Sequence, residues 1–304
     1  GTNYSCLPMD TKILTKDGLK LFDEVEVGDV VYSYKDGELV EDVIKHKHFY
    51  KDADVVTFGD SKKGLRCTLN HRWLTQKRKW DNTLRRNSRE HSEVTLEECS
   101  DLTTESKILT SAPYTGGESS VTKDQARLLG WILSDGCFGQ STTIAQSKEK
   151  FYQDVEDTIN KCGISYTKYT SPRENGNDVF IYTLNKGEVR SIFDKMGLLL
   201  TKEQDFTEFL LNLRQEALNS FVESFYLGDG GVKNSKSFII SQNVGNVLDA
   251  VQLALFLQGD GRVTVEGKSK CKVVRKHRTK HISCQRKMWK NQIGRASCRE
   301  RVST

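Results

Sequence analysis

The first third of the chain alternates apolar and polar residues over short runs. Two runs, 11–15 and 19–22, flank an Asp-Gly turn, and a third run, 28–34, ends at another Asp-Gly turn. A period of two indicates strands with one buried face, and Asp-Gly between such runs is a strong hairpin signal. No long helical period appears before about residue 115. This part is therefore predicted to be an all-β unit, with the polar segment 77–93 as an exposed loop.

The pattern becomes helical after a small-residue linker at 116–120. Thr122-x-x-Gln125 is a capping-box sequence, and the apolar run that it opens stops at Ser134-Asp135-Gly136. A second apolar run, 221–227, stops at Gly228-Asp229-Gly230. We expect the Asp-Gly step to end each helix, since glycine turns the chain most easily at a helix C-terminus.

These two helices belong to an internal repeat. Each copy reads as helix, Asp-Gly, strand, helix, glycine and strand. Matching positions are 94 or 96 residues apart, in the pairs Asp135/Asp229, Gln146/Gln242 and Gly163/Gly259. Two copies in one chain predict a pseudo-twofold pair with the two Asp-Gly helices packed at the axis, where Gly130 and Ser224 are small enough for close approach.

The repeat would bring Asp135 and Asp229 together at two negative helix ends. Two carboxylates repel there unless cations bind between them, and Mg²⁺ prefers hard oxygen ligands together with phosphate oxygens. Such a site can activate a water and stabilise a phosphate leaving group, while the paired sheets would lie in a DNA major groove. The simpler interpretation is that Asp-Gly only ends helices, but the registered second copy favours the metal site.

Different chemistry is suggested near the start of the chain. Cys6 supplies a thiol nucleophile that can attack the carbonyl of Ser5, provided that the peptide bond is strained or polarised. His71 can protonate the displaced nitrogen, and Thr68 can donate to the oxyanion. Read separately, a terminal cysteine and a lone Thr-x-x-His are weak signals.

In combination these residues carry a resemblance. Cys6-Leu7-x-x-x-Thr11-x-Ile13-x-Thr15-x-x-Gly18, then Gly28-Asp29-x-Val31, then Thr68-x-x-His71, resemble the N-terminal splicing blocks of inteins in the Hedgehog/intein (Hint) family. The resemblance implies that Cys6 performs an N-to-S acyl shift without a cofactor. It also implies that Thr68 and His71 activate the scissile amide between Ser5 and Cys6, with host protein flanks present in cis.

The second part carries another resemblance. Residues 128–136 and 222–230 are similar to the two LAGLIDADG motifs of homing endonucleases, which commonly sit inside inteins, although Ser224 replaces the usual glycine. The resemblance implies that Asp135 and Asp229 are metal-binding catalytic acids that use Mg²⁺ or Mn²⁺. It also implies double-strand cleavage of a long site in double-stranded DNA, the uninterrupted host gene. The fold expected for the chain is an all-β Hint domain followed by an α+β domain of two pseudo-twofold repeats.

These resemblances predict how the chain is divided. The segments are a host remnant at 1–5, a Hint splicing domain at 6–115, an endonuclease domain at 116–292 with repeats at about 122–210 and 211–290, and a translated sequencing-adapter artefact at 293–304. The C-terminal splicing residues are absent from this sequence, so we expect an intein truncated before its second splicing half.

Composition and charge indicate the cellular compartment and the kinds of partner that the protein can bind. Eight cysteines without a pairing pattern favour free thiols in a reducing, cytoplasmic compartment, and the apolar runs are too short to span a membrane. A net charge of +5 permits DNA binding without requiring it, and we expect a monomer. The candidate phosphate contacts are Lys148, Lys233, Lys236, Lys268 and Lys270, among which the sequence does not identify a catalytic lysine.

Two alternatives stay open at this point. Cys271, His277, His281 and Cys284 lie close enough to suggest zinc, but without a Cys-x-x-Cys half a basic strand pair is the better interpretation. The whole chain can also be interpreted as a DNA-binding protein with a decayed nuclease and a β-domain that is only structural.

Overall fold

The computed structural model describes residues 5–58, 65–83, 86–103, 105–173, 178–234, 237–259, 261–266, 271–277, 281–283 and 294–300. The chain forms two compact units. Unit 1 comprises Gly1–Ala112 and Thr279–Thr304, and unit 2 comprises Pro113–Arg278. Among the described residues no helix is long and apolar enough to cross a membrane.

The chain up to residue 109 is rich in strands. They are β1 (Cys6–Pro8), β2 (Ile13–Thr15), β3 (Gly18–Lys20), β4 (Val30–Lys35), β5 (Glu38–Val43), β6 (Phe49–Phe58), β7 (Leu65–Cys67), β8 (Arg72–Asp81), β9 (Arg86–His91), β10 (Thr95–Glu98) and β11 (Ser106–Leu109). Two short 3-10 helices, Phe22–Glu24 and Cys99–Asp101, interrupt them.

Helices and strands then alternate. They are α1 (Lys123–Asp135), β12 (Gly136–Phe138), β13 (Thr142–Gln146), α2 (Tyr152–Lys161), β14 (Tyr166–Ser171), β15 (Val179–Leu184), α3 (Lys186–Lys195), α4 (Thr207–Asn212), α5 (Gln215–Asp229), β16 (Gly230–Asn234), β17 (Ser237–Asn243), α6 (Asn246–Leu257), β18 (Arg262–Glu266) and β19 (Cys271–His277). Two further strands, β20 (His281–Ser283) and β21 (Gly294–Glu300), belong to unit 1.

The described residues of unit 1 form three sheets. Their strand orders are β1-β21-β6-β7, β10-β8-β11-β20 with β9 paired to β8, and β3-β2-β4-β5. The predicted hairpin of β4 and β5 is confirmed: Asp36 and Gly37 both have positive φ, at 49° and 102°, which matches the twist of a tight hairpin turn. The adapter origin of residues 293–304 stays a prediction, and the structure describes 294–300 as β21, paired with β1 and β6.

One predicted feature of unit 1 was wrong. The polar segment 77–93 is not simply a loop, because Arg72–Asp81 and Arg86–His91 form the antiparallel pair of β8 and β9. Within 77–93 the sequence has only Trp80 and Leu84 as apolar residues, so the apolar alternation that marks a half-buried strand is missing there.

Unit 2 contains the same arrangement twice. Strands β12-β13-β15-β14 form one sheet and β16-β17-β19-β18 form the other, each following a helix that ends in an aspartate. The predicted α+β architecture is confirmed. The capping box is also confirmed, because Thr122 N donates to Gln125 Oε1 at 3.0 Å and Gln125 N donates to Thr122 Oγ1 at 3.2 Å.

Burial of α1 and α5 holds unit 2 together. Leu128, Leu129, Trp131, Ile132 and Leu133 of α1 are completely buried, as is Phe225 of α5. A buried side chain of this size stabilises the fold by roughly 1.5–3 kcal/mol relative to an exposed one. Both helices are therefore fixed along most of their length, and the aspartates at their ends sit on a rigid base.

Candidate functional site

Helices α1 and α5 approach each other closely enough to exclude side chains. A Cβ at Gly130 would lie 2.0 Å from Ser224 Oγ and 2.5 Å from Phe221 O, and a Cβ at Gly228 would lie 2.2 Å from Ser134 Oγ and 2.9 Å from Asp135 Oδ2. The structure thus brings Gly130 and Ser224 together. The close contacts at Gly130 and at Gly228 align the two helices as far as the aspartates at their C-terminal ends.

The glycines after the aspartates have a different role from the expected one. Gly136 and Gly230 have φ values of −103° and −84°, so neither adopts the left-handed conformation of a helix-ending glycine. A Cβ at Gly136 would instead lie 2.5 Å from Ile132 O, and one at Gly230 would lie 2.2 Å from Tyr226 O. Glycine is needed because the first strand of each repeat leaves the helix against the helix's own last turn.

Each aspartate has a glutamine partner at the matching position of its repeat. Gln146 Nε2 donates to Asp135 Oδ2 at 2.9 Å, and Gln242 Nε2 donates to Asp229 Oδ2 at 3.0 Å. The internal repeat had placed these two glutamines at matching positions, but the sequence did not indicate a role for them. Their amides orient the carboxylates and leave the other carboxylate oxygen of each aspartate for further ligands.

Both carboxyl groups have raised pKa values. Burial, followed by the charge of Asp229, raises the pKa of Asp135 to about 6, while burial also raises the pKa of Asp229. The positive charges of Lys148 and Lys202 and the glutamine hydrogen bonds act in the opposite direction but do not cancel the effect. Two carboxylates held in this way favour the binding of a cation.

Two lysines complete the cluster, and sequence reasoning missed one of them. Lys202 Nζ donates to the carbonyl of Leu133 at 2.7 Å, and Lys148 Nζ donates to the carbonyls of Leu227, at 2.8 Å, and Gly228. Leu133 and Leu227 each lie two residues before an aspartate, so each negative helix end receives one ammonium group. Burial lowers the pKa of Lys202, while the two aspartates oppose that shift. Lys202 follows α3 in a segment without a motif, so no sequence signal could have identified it.

The residues present could bind a divalent cation for which the protein supplies only part of the coordination shell. Among the described residues, no group of three or more histidines, cysteines or acids could hold a metal. Mg²⁺ usually takes one or two carboxylates and completes its octahedron with water and substrate phosphate oxygens. Asp135 and Asp229 supply that number of carboxylates, so they are the candidate ligands.

The close helix contact gives a stability prediction. Replacing Gly130 with Ala should destabilise unit 2 by about 1–3 kcal/mol, because the backbone oxygen of Phe221 cannot move away from the new methyl group as a side chain could. Urea unfolding followed by circular dichroism measures this. Gly139→Ala is the matched control, since its nearest contact would be Ser141 O at 3.8 Å. Equal effects of the two substitutions would contradict the close packing.

The raised pKa of Asp135 gives a second stability prediction. Between pH 4 and 6 the folded protein keeps a proton on Asp135 that an unfolded carboxyl, with a pKa of 3.8, has released. Stability without metal should therefore fall as pH rises through this window. At pH 7.5 without metal, Asp135→Asn should raise the melting temperature by about 3 °C, and at pH 4 it should have little effect. Differential scanning calorimetry tests this, and a decrease at pH 7.5 would contradict it.

In unit 1 the structure brings together the three residues proposed for peptide-bond chemistry. Cys6 N donates to Thr68 Oγ1 at 3.0 Å, Thr68 N donates to Cys6 O at 3.1 Å, and His71 N donates to Thr68 O at 3.1 Å. Cys6 is completely buried, and Thr68 and His71 are only 6% and 7% exposed. The hydroxyl of Thr68 thus contacts the amide nitrogen that an acyl shift would release.

Several candidates lie outside the described residues. They are Lys236, Lys268, Lys270 and Cys284, together with the side chains of Lys233, Cys271, His277 and His281. The zinc alternative for Cys271, His277, His281 and Cys284 therefore stays a prediction. The expected basic strand pair was wrong for the described residues: 271–277 and 281–283 are both strands, but β19 pairs with β17 and β18, whereas β20 pairs with β11.

A family model described as a LAGLIDADG-like domain matches residues 122–203. These residues therefore form a LAGLIDADG-like domain, which contains Asp135, Gln146, Lys148 and Lys202. The match does not extend into unit 1. No curated protein sequence matches the chain.

Solved structures with similar coordinates include I-DmoI in complex with DNA and Mn, at 14% identity and a TM-score of 0.37 over 51% of this chain and 89% of that one. A variant of I-DmoI with its target DNA in the presence of Mg has 16% identity and a TM-score of 0.37, over 51% and 88%. The N-terminal LAGLIDADG domain of DUF199/WhiA has 10% identity and a TM-score of 0.38, over 52% and 77%.

Proposed function

We propose that unit 2 is a divalent-metal-dependent endonuclease that cuts both strands of a long site in double-stranded DNA. The observation that supports this most is the pair Asp135 and Asp229, each at the end of one of two closely packed helices, each held by a glutamine and each with a raised pKa. The LAGLIDADG-like match supplies independent support for the first repeat.

In this proposal Asp135 and Asp229 hold Mg²⁺ or Mn²⁺. When bound, such an ion lowers the pKa of a water and stabilises the charge on a phosphate. Gln146 and Gln242 keep the carboxylates oriented through their amide hydrogen bonds. Lys202 places a positive charge beside both carboxylates, where it can stabilise the charge that develops on the scissile phosphate.

Both acids come from one chain, so we propose that the nuclease acts as a monomer. The cysteines without a pairing pattern favour a reducing, cytoplasmic compartment. Each repeat supplies one four-stranded sheet, and a sheet surface can follow a DNA major groove. Lys148 is placed in the same way as Lys202, since it donates to the carbonyls of the other helix end and also puts a positive charge beside both carboxylates.

The experiment for this function does not require a known target. The purified chain is incubated with Mg²⁺ and a pool of plasmids that carry randomised inserts, and the cleaved ends are captured and sequenced. The proposal predicts one long recognition sequence cut on both strands. Binding of DNA without any cleaved product would favour the alternative, a DNA-binding protein with a decayed nuclease.

We also propose that residues 6–115 form a Hint domain that performs the first step of protein splicing. The contact that favours this second function is that between Cys6 N and Thr68 Oγ1. Thr68 can polarise the amide between Ser5 and Cys6, and His71, held to Thr68 through its backbone, can supply the proton to the leaving nitrogen. The product is a thioester between Ser5 and Cys6, formed in cis on the host flank at 1–5.

A further inference from the structure

Unit 1 contains a pair of thiols that the acyl shift does not use. The side chains of Cys67 and Cys99 are hydrogen-bonded to each other. Both are free thiols, Cys67 is completely buried, and Cys99 is partly exposed. A small oxidant can therefore reach one member of the pair directly.

Backbone hydrogen bonds fix this pair beside the proposed splicing residues. Cys67 directly precedes Thr68, and Cys99 N donates to His71 O at 2.8 Å. Ser100 N donates to Leu69 O at 2.8 Å, which ties the next residue to the same segment. Cys67 is thus covalently joined to one end of residues 68–71, and Cys99 is hydrogen-bonded to the other end. A change in the distance between the two cysteines therefore shifts the positions of Thr68 and His71.

The two thiols differ in reactivity. The hydrogen bond from Cys67 lowers the pKa of the Cys99 thiol, while the same hydrogen bond, together with burial, raises the pKa of the Cys67 thiol. The exposed cysteine is therefore the one that more readily forms a thiolate, which is the attacking species in thiol–disulfide exchange.

We propose that Cys67 and Cys99 form a reversible disulfide with a small disulfide oxidant of the glutathione class. The Cys99 thiolate attacks one sulfur of oxidised glutathione and releases one glutathione thiolate, which gives a mixed disulfide. The Cys67 thiol loses its proton and attacks the Cys99 sulfur, which releases the second glutathione. The two protein thiols lose two electrons and two protons, and one glutathione disulfide is reduced to two thiols.

The disulfide would slow the acyl shift, a consequence that rests on the proposed splicing function. A disulfide holds its sulfurs about 2.05 Å apart, much closer than two hydrogen-bonded thiols. Closing that gap draws Cys99, and with it the backbone of His71, toward β7. Because a misplacement of about 1 Å can cost about 100-fold in rate, we expect the oxidised chain to react at least about 10-fold more slowly.

The experiment treats the full chain with oxidised glutathione and measures two properties. Mass spectrometry of non-reduced tryptic peptides should show a cross-link between the peptides of Cys67 and Cys99. Release of Gly1–Ser5 by hydroxylamine, which does not reduce disulfides, should be at least about 10-fold slower after oxidation and recover after dithiothreitol is added and removed. Cys99→Ser should abolish both effects, and Cys162→Ser, which removes a partly exposed thiol of unit 2, should change neither.

The outcomes separate the two proposals. A mixed disulfide that stays on Cys99, or a cross-link between Cys6 and Cys67, would overturn the proposed pair. A Cys67–Cys99 cross-link without any change in the rate of release would overturn the control of the acyl shift. If the reduced protein releases no peptide at all, the splicing function fails, while the cross-link still decides whether the disulfide forms.

Discussion

Asp135→Asn and Asp229→Asn should each eliminate Mg²⁺-dependent cleavage of the selected DNA site. Each substitution removes one of the two proposed carboxylate ligands and keeps the shape of the side chain. We expect a loss of at least about 1,000-fold in the rate of the first strand cut, or about 4 kcal/mol of transition-state stabilisation. Single-turnover cleavage of a supercoiled plasmid measures the rate for each strand.

Asp194→Asn is the matched control for these variants, because Asp194 is an exposed aspartate on α3 and should leave cleavage unchanged. Both site variants should still bind the DNA, since in this proposal the two sheets, and not the aspartates, contact the DNA. Cleavage within about threefold of the wild-type rate by either variant would show that the carboxylate pair is not the catalytic site.

Cys6→Ala should abolish the release of Gly1–Ser5 by hydroxylamine. The reaction requires a thiol that attacks the Ser5 carbonyl, and alanine offers no nucleophile. Thr68→Val should slow release by about 10- to 100-fold, because it removes the hydroxyl that contacts the scissile nitrogen. Mass spectrometry of the released peptide over time follows both variants.

An exposed cysteine provides the control for Cys6. Cys137→Ala alters a thiol of unit 2 and should release the peptide at the wild-type rate. Release from Cys6→Ala at the wild-type rate would mean that the peptide bond breaks by another route. In that case unit 1 would have only a structural or DNA-binding role.

The sequence predicted the elements whose local signals agree with their tertiary setting. The Asp-Gly hairpin at residues 36–37, the capping box at Thr122 and the two aspartate-ended helices all follow from turn chemistry and hydrophobic period. The internal repeat also predicted the paired sheets, because two copies of one hydrophobic pattern should fold in the same way and bury the same faces. Those predictions needed no knowledge of distant contacts.

The remaining features depend on contacts that sequence does not encode locally. Lys202 reaches the carbonyl of Leu133 from a segment without periodicity, so only the folded chain reveals it. The sequence analysis was right that glycine is needed after each aspartate, but it gave the wrong reason. The requirement is the lack of space for a Cβ beside Ile132 and Tyr226, and not a positive φ. The hairpin of β8 and β9 was missed because its polar strands lack the apolar alternation of a buried face.

We propose above all that Asp135 and Asp229 jointly bind a divalent cation. A Mn²⁺ titration of the full chain with its selected DNA, followed by electron paramagnetic resonance, tests this most directly. We predict binding at pH 7.5 that weakens as pH falls below about 6, where Asp135 takes up a proton, and that is lost in the Asp135→Asn, Asp229→Asn double variant. Unchanged Mn²⁺ binding by the double variant would contradict the claim.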